Sequence, residues 1–228
     1  MKIAVNGACG RMGQTVLRVA REMGIEVAEA IDVAPAPPGL EVSRSLTKKV
    51  DALVDFSTPE AALERLAECV RSGTPAVICT TGFTEAQRAR IADAARSIPV
   101  VLSSNTSVGV NLLFKLVPEV ARVLGKDYDI DLIETHHRFK KDAPSGTAKT
   151  LAERIEAATG RRPNVHAVRS GDVVGEHRVV FGSIGDSIEI VHRASSRDIF
   201  ARGALEAARW VARARPGLYS MLDVLGPA

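Results

Sequence analysis

The sequence predicts an α/β protein in two parts: a parallel sheet domain with helices on both faces, then a smaller α+β domain. Three observations point there. From residue 1 to about 105, short apolar runs alternate with helical patterns, the grammar of a covered parallel sheet. Beyond that point three strand-like runs follow one another without helices between them, which predicts antiparallel pairing and a separate α+β unit. An Ala-rich helix near the C-terminus has the small residues that pack closely on a sheet, and it is expected to return to the first domain. The expected boundaries are 1–107 for the first domain, completed by 204–228, and 108–203 for the second.

The first strand, Ile3 to Val5, runs into Gly7-Ala8-Cys9-Gly10-Arg11-Met12-Gly13. A helix follows, with Val16, Val19, Ala20 and Met23 on one stripe and Gly24 as its stop. A second strand, Ile25 to Ile31, ends at Asp32. This is a βαβ unit of Rossmann-like character. Its glycines allow a tight turn and a close approach to a pyrophosphate on the helix N-terminus. Asp32 stands where an acidic side chain meets an adenosine ribose hydroxyl. The glycine spacing is G-x-x-G-x-x-G, so the signal lies in the whole unit rather than in the glycines.

Pro35 to Gly39 reads as a surface loop, and Ala52 to Phe56 as a third strand. Ser57-Thr58-Pro59-Glu60 has a capping hydroxyl, an early proline and a first-turn acid, so a helix starts there and runs to Ser72 before Gly73. A fourth strand spans Ala76 to Thr80, and Thr84 with Gln87 forms a capping box for the next helix. Pro99 to Ser104 is the fifth strand. Ligands of such sheets sit at the C-terminal strand ends, where Gly7–Gly13, Asp32, Ser57–Thr58, Thr80–Phe83 and Ser104–Ser107 fall.

A helix from Leu112 to Leu124 stops at Gly125. Next comes Glu134-Thr135-His136-His137-Arg138-Phe139-Lys140-Lys141-Asp142-Ala143-Pro144-Ser145-Gly146-Thr147-Ala148, which begins where the apolar run Ile130 to Ile133 ends. An imidazole titrates near neutrality and can supply a proton or hold an anion. The Pro144-Ser145-Gly146-Thr147 corner offers a hydroxyl and free N–H groups to a carboxylate or phosphate. The expected chemistry is a proton donor beside an anion-binding corner. A helix from Thr147 to Ala158 follows, then strands at Asn164 to Arg169, Glu176 to Phe181 and Ser187 to His192, with a hairpin turn at Gly182 to Asp186. Ser195-Ser196 is expected to cap a last helix, Asp198 to Ala214.

A net charge of +3 over 228 residues and 4% aromatics give no basis for nucleic acid as the main partner. Cys9, Cys69 and Cys79 are odd in number and unlike a zinc or disulfide pattern, so no metal is expected and a reducing compartment fits. No apolar run is long enough to span a membrane and no signal peptide is visible, so the expected location is the cytoplasm.

These motifs together resemble the dihydrodipicolinate reductase family, whose enzymes are also called 4-hydroxy-tetrahydrodipicolinate reductases, of the diaminopimelate route to lysine. The resemblance rests on the glycine loop, Thr80-Thr81-Gly82-Phe83, Asn105 to Asn111, the His136-His137 stretch through Ala148, and Arg169-Ser170-Gly171-Asp172 to Val174-Gly175-Glu176-His177. It implies that His136 is the proton donor/acceptor with Lys140 as its cationic partner, and that His137, Lys140, Gly146 and Thr147, with Ser145 in the same corner, bind the substrate carboxylates. It implies that Gly7, Ala8, Cys9, Gly10, Arg11, Met12, Asp32, Cys79, Thr80, Thr81, Ser104, Asn105, Thr106 and Ser107 line the nicotinamide dinucleotide. The family is typically a homotetramer built through the second domain's sheet. Cys79 stands where the family usually has glycine, Thr106 where it often has an aromatic, and Phe139 where a polar residue is frequent. The segment after Asp32 is short. Cys79 reads as a small apolar filler.

Use of both NADH and NADPH is expected, with NADH preferred, because Asp32 suits a free ribose hydroxyl and repels a phosphate; Arg11 is the cation available to one. Two other readings stay open: an amino-acid dehydrogenase such as an aspartate dehydrogenase, and a non-catalytic dinucleotide-sensing module. A short-chain dehydrogenase is disfavoured, since neither Tyr128 nor Tyr219 has Lys four residues on. His166, His177 and His192 are scattered over strands and read as structural.

Overall fold

The computed structural model describes residues 1–226. Among the described residues the chain forms two compact units, Met1–Val108 with 198–226, and Gly109–Arg197.

The first unit is a six-stranded sheet in the order β10-β5-β4-β3-β1-β2. Its strands are β1 (Lys2–Asn6), β2 (Glu26–Ile31), β3 (Ala52–Asp55), β4 (Ala76–Ile78), β5 (Pro99–Leu102) and β10 (Gly217–Tyr219). All pairings are parallel. Helices α1 (Arg11–Glu22), α2 (Pro59–Ser72), α3 (Glu85–Ala94) and α6 (Asp198–Val211) cover it. The four inner strands, β1, β3, β4 and β5, are almost wholly buried, because a parallel sheet with two covered faces has no solvent side there. One apolar cluster joins β1, α1 and α6 through Val5, Val16, Val19, Ala204, Leu205 and Ala208; another joins β3 and β4 to α2 and α3 through Leu53, Ile78, Leu66 and Ile91.

The local signals at the starts of α2 and α3 hold. Thr58 accepts from the Ala61 N–H with Pro59 just inside the helix, and Thr84 and Gln87 form both bonds of a capping box. Gly24 and Gly73 take left-handed φ values of 65° and 69° at helix ends.

Helix α6 returns to this unit from its first turn, at Asp198 rather than at residue 204. The reason is its packing: Ala201, Ala204, Ala207 and Ala208 are fully buried, and Asp198 pairs with Arg18 of α1 at 2.5 Å. The helix ends at Val211, short of the expected Ala214. Residues 212–216 lead to β10, a three-residue strand too short to leave a periodic pattern in the sequence. The last part of the expected returning segment, 227–228, lies outside the described residues.

The second unit has α4 (Val108–Leu124, beginning in the first unit), β6 (Asp129–His136), α5 (Gly146–Thr159), β7 (Asn164–Arg169), β8 (Gly175–Gly182) and β9 (Ser187–Ala194). Its sheet runs β7-β6-β8-β9. It is mixed rather than antiparallel throughout: β7 pairs parallel with β6, while β8 pairs antiparallel with both β6 and β9. The expectation erred by treating β7 as a neighbour of β8. Helix α5 carries the chain from the end of β6 back to the start of β7, a βαβ crossover that makes those two strands parallel. Helix α4 starts at Val108 rather than Leu112, with Val110 and Asn111 already buried in its first turn. Strand β6 alternates, with Ile130, Leu132, Glu134 and His136 on the covered face. Leu151, Ala152 and Ile155 of α5 are buried with Leu132, Val179 and Phe181 of the sheet. No helix among the described residues is long and apolar enough to cross a membrane.

Candidate active site

In the first unit the strand order reverses between β1 and β3, and the loops leaving these two strands frame the crevice where such sheets bind ligands. Gly7 there has φ 77°, and a Cβ on it would lie 2.5 Å from the Phe56 carbonyl oxygen. Gly13 brings the first turn of α1 onto the loop so closely that a Cβ would lie 2.0 Å from the Gly7 oxygen. Helix α1 begins at Gly10 with no side-chain cap and no acidic residue in its first turn. The other helices with a defined cap, α2, α3, α5 and α7 (Met221–Val224), each have a hydroxyl on that position. The first turn of α1 thus has no side-chain acceptor at its cap, the kind of helix start that suits an anion.

Beside the loop is a cavity of about 360 Å³ lined in part by Gly7, Cys9, Gly10, Asp32, Ser57 and Thr58. Asp32 accepts from the Cys9 N–H at 2.8 Å and from the Ala34 N–H at 2.9 Å, which binds the β1 and β2 exits together. Asp55 is a residue the sequence reading passed over. It is buried at the end of β3 and accepts from Asn6 Nδ2 and Thr80 Oγ1, both at 2.5 Å, and from Ser57 Oγ at 2.9 Å. Burial raises its pKa against the pull of these donors. Three adjacent strand exits are thereby joined through one carboxyl group.

The expected cofactor-lining residues divide by exposure. Gly10, Arg11, Thr81 and Ser104 are exposed, and Gly7, Cys9, Met12, Asp32 and Asn105 half-buried. Ala8, Cys79, Thr80, Thr106 and Ser107 are buried. The Thr80 hydroxyl is committed to Asp55 and that of Thr106 donates to the Phe200 carbonyl at 2.7 Å. Cys79 belongs to the apolar core, and burial with the nearby Asp55 raises its thiol pKa well above the ordinary value. These residues therefore form the floor under the strand ends. Cys69 is likewise inert, its thiol pushed up to about 12 by burial.

In the second unit the site is a buried charge cluster at the end of β6. Glu134 is wholly buried. Arg169 donates to it through Nη1 and Nη2, each at 2.9 Å, the Ser145 N–H donates at 3.0 Å, and His136 Nδ1 lies 2.5 Å from Oε2. Burial alone would raise the Glu134 pKa; these donors outweigh it and hold the carboxyl below its ordinary value. With Glu134 ionised, His136 Nδ1 carries the proton, and Nε2 is the ring nitrogen outside the pair. Gly175, across the sheet, leaves Nε2 its room: a Cβ there would stand 3.1 Å away. Burial lowers the His136 pKa, Glu134 opposes this, and the charges of Lys140 and Arg169 reinforce it.

The register explains the assembly. Glu134 pairs with His177 across β6 and β8, and His177 with His192 across β8 and β9. The His177 ring meets His136 edge to face at 5.3 Å, and its Nε2 lies 3.2 Å from Ser145 Oγ. Burial, with the charge of His136, pushes the His177 pKa down to about 4. The histidines read as scattered are therefore only partly so. His177 and His192 share the row containing Glu134, and His166 faces outward, 2.8 Å from Asp131. Ser145 caps α5 through Ala148, so its hydroxyl serves the corner's own structure. Gly146 and Thr147 open that helix, exposed and half-buried. Lys140 Nζ pairs with Asp142 at 2.8 Å, and that bond lowers the Asp142 pKa. The His137 ring stacks obliquely on Phe139 at 6.4 Å, with a buried Nδ1 that has no hydrogen-bond partner among the described residues. No group of three or more His, Cys, Asp or Glu arranged for a metal ion occurs among them.

Family models describe the source of these features. One for the N-terminus of dihydrodipicolinate reductase matches residues 1–106, and one for its C-terminus matches residues 109–225. The chain belongs to the dihydrodipicolinate reductase family. Relatives named 4-hydroxy-tetrahydrodipicolinate reductase include one from Syntrophotalea carbinolica, 44% identical, and one from Citrifermentans bemidjiense, 41% identical, each with 99% of both chains covered. The fold matches a dipicolinate-bound dihydrodipicolinate reductase from Paenisporosarcina sp. TG-14 with a TM-score of 0.85 at 23% identity, over 96% of this chain and 97% of that one.

Within this reductase family frame, the sequence reading named His136 and Lys140 but missed Glu134, Arg169 and His177 as parts of one cluster. The available signal was the period-two spacing of Glu134 and His136 after Ile130 and Leu132. A carboxylate continuing the buried face of a strand must have partners.

Proposed function

We infer that this chain is an NAD(P)H-dependent oxidoreductase that reduces 4-hydroxy-tetrahydrodipicolinate to tetrahydrodipicolinate, a step of diaminopimelate and lysine biosynthesis. In the overall reaction one hydride and one proton enter and one water leaves. The observation that carries the reading is the buried Glu134–His136 pair, with Nδ1 held and Nε2 outside it, in a chain 41–44% identical to reductases of that name.

A nicotinamide dinucleotide supplies the hydride. Gly7 to Met12 and the uncapped start of α1 would hold its pyrophosphate, and Asp32 would meet the adenosine ribose; the uncapped helix start and the cavity lined by Gly7, Gly10 and Asp32 support this. Loss of the hydroxyl as water from the substrate gives a conjugated C=N/C=C system, and addition of hydride to it would leave negative charge on another ring atom. His136 delivers a proton there from Nε2 and becomes neutral, while Glu134 keeps the ring oriented. A depressed pKa makes the imidazolium the stronger acid. Lys140 and His137, with the N–H groups at Gly146 and Thr147, face the substrate's carboxylates. Asp142 holds Lys140 until a substrate carboxylate competes for it.

NADH is preferred and NADPH accepted. The protein works in the cytoplasm as a homotetramer built through the second unit's sheet. In support, β9 is an eight-residue edge strand without one buried residue, a kind of edge that proteins usually cover. Light scattering checks the assembly. For the activity, freshly generated substrate is added to the chain with NADH. Loss of NADH absorbance only in the presence of the cyclic substrate supports the reading, and no loss with either dinucleotide overturns it.

A further inference from the structure

The lining of the cavity beside the glycine loop includes a cationic residue that belongs neither to the loop nor to the position after Asp32. Residues 42–46 run along the end of β2. Ile31 and Ser43 form a parallel bridge, the Asp32 N–H donates to the Ser43 carbonyl at 3.0 Å, and the Ser43 N–H donates to the Ala30 carbonyl at 2.9 Å. On the next residue, Arg65 of α2 donates to the Arg44 carbonyl. The Arg44 backbone is thus tied down beside Asp32, and Arg44 lines the same cavity of about 360 Å³. Its side chain is solvent-exposed and enters no ion pair or hydrogen bond among the described residues. The cavity's other arginine, Arg65, is committed to Glu64 and Glu68. Arg11, the cation the sequence offered, does not line this cavity.

Asp32, for its part, is not an unopposed charge. Each of its carboxylate oxygens accepts a backbone N–H, from Cys9 and from Ala34. Its repulsion of a nearby phosphate is reduced accordingly. A guanidinium matches a phosphate through two parallel N–H donors, and an arginine near the ribose is how a dinucleotide site accommodates a 2′-phosphate.

We propose that Arg44 binds the 2′-phosphate of NADPH and is the residue that makes this site accept both dinucleotides despite Asp32. The proposal rests on the dinucleotide reading of the first unit. It treats Arg44 as a specificity determinant, with no part in the chemical step.

The test is isothermal titration calorimetry of the full chain with ADP-ribose and with its 2′-phosphorylated form, for wild type, Arg44→Ala and Arg44→Lys. The readout is the ratio of the two affinities. Arg44→Ala is expected to lose about tenfold or more for the phosphorylated probe relative to the plain one, as a charge-assisted pair implies. Arg44→Lys is expected to restore part of the ratio. The kcat/KM ratio for NADPH against NADH moves in parallel. An unchanged ratio in Arg44→Ala overturns the proposal, as does an equal loss for both probes. A wild-type chain that binds neither probe removes the dinucleotide site itself, a result distinct from an unchanged ratio.

Discussion

The two candidate ligand regions handle charge in opposite ways. At the end of β1 the chain presents backbone: an uncapped helix start, two glycines in van der Waals conflict with any side chain, and carboxylates already satisfied by N–H and hydroxyl donors. At the end of β6 it presents side chains: a wholly buried Glu134 shared by Arg169, His136 and Ser145. The first arrangement offers fixed dipoles that hardly respond to pH. The second places titratable groups where burial and partners move their pKa values in both directions. A site that only holds a large anionic cofactor needs the former, and one that must release a proton needs the latter.

The contrast breaks most clearly at His136. His136→Ala is expected to lower kcat by about 10²- to 10⁴-fold, the range of a lost general acid, while calorimetric binding of NADH stays within a few-fold of wild type. Lys140→Ala should follow the same pattern. Near-wild-type turnover in either variant would remove the proton-delivery role assigned to this cluster.

Next in size is Glu134→Ala. It removes the carboxylate partner of Arg169, which keeps the Val168 and Asp142 carbonyls, and leaves the Ser145 N–H without its acceptor, so a loss of about 1–3 kcal/mol in urea unfolding is expected. Glu134 raises the His136 pKa against burial. Its removal therefore shifts the high-pH limb of kcat toward lower pH. A limb that stays put or moves upward would show that Glu134 does not act through His136.

His177 sharpens the pH side. Its folded pKa of about 4 lies below the unfolded value of 6.5. Between these values the unfolded chain binds a proton that the folded chain does not. Stability is therefore complete above pH 6.5 and declines as pH falls to about 4, by about 3 kcal/mol from this group alone. The lowered Glu134 pKa acts in the same direction at lower pH, its contribution being lost as pH falls through the folded value. His177→Gln should flatten the slope of chemically measured stability between pH 6.5 and 4. An unaltered slope in that variant would assign the titration to another group.

The smallest effect belongs to the backbone region. In Gly13→Ala the new Cβ would sit 2.0 Å from the Gly7 oxygen, so a cost of about 1–3 kcal/mol is expected from overpacking. It should appear as a lower Tm together with weaker ADP-ribose binding and an unchanged pH profile of kcat. A shifted pH profile would mean the two regions are not chemically separate.

Much of the first unit was legible because its signals are local. Thr58, Thr84 and Gly73 act within a few residues of themselves, and their roles in capping and stopping helices follow from that. Strand β10 was not legible, since three residues carry no period, and Asp55 was passed over because its donors Asn6 and Thr80 lie on other strands. In the second unit the strands were found but their neighbours were not. Reading order along the chain suggested that β7 pairs with β8, whereas the α5 crossover puts β7 on the far side of β6.

By itself the sequence determined the βαβ start, the two-part architecture, the family and the residues most plainly able to move a proton, because each is written in short-range pattern or in contiguous motif. The tertiary structure alone decided which side chains share a site. Cross-strand register brings Glu134, separated from Arg169 by the whole of α5, onto its guanidinium, places His177 opposite Glu134, and sets Arg44 beside Asp32. Such pairings are long-range, and a shift of register by one residue would turn every one of those side chains to the other face of the sheet.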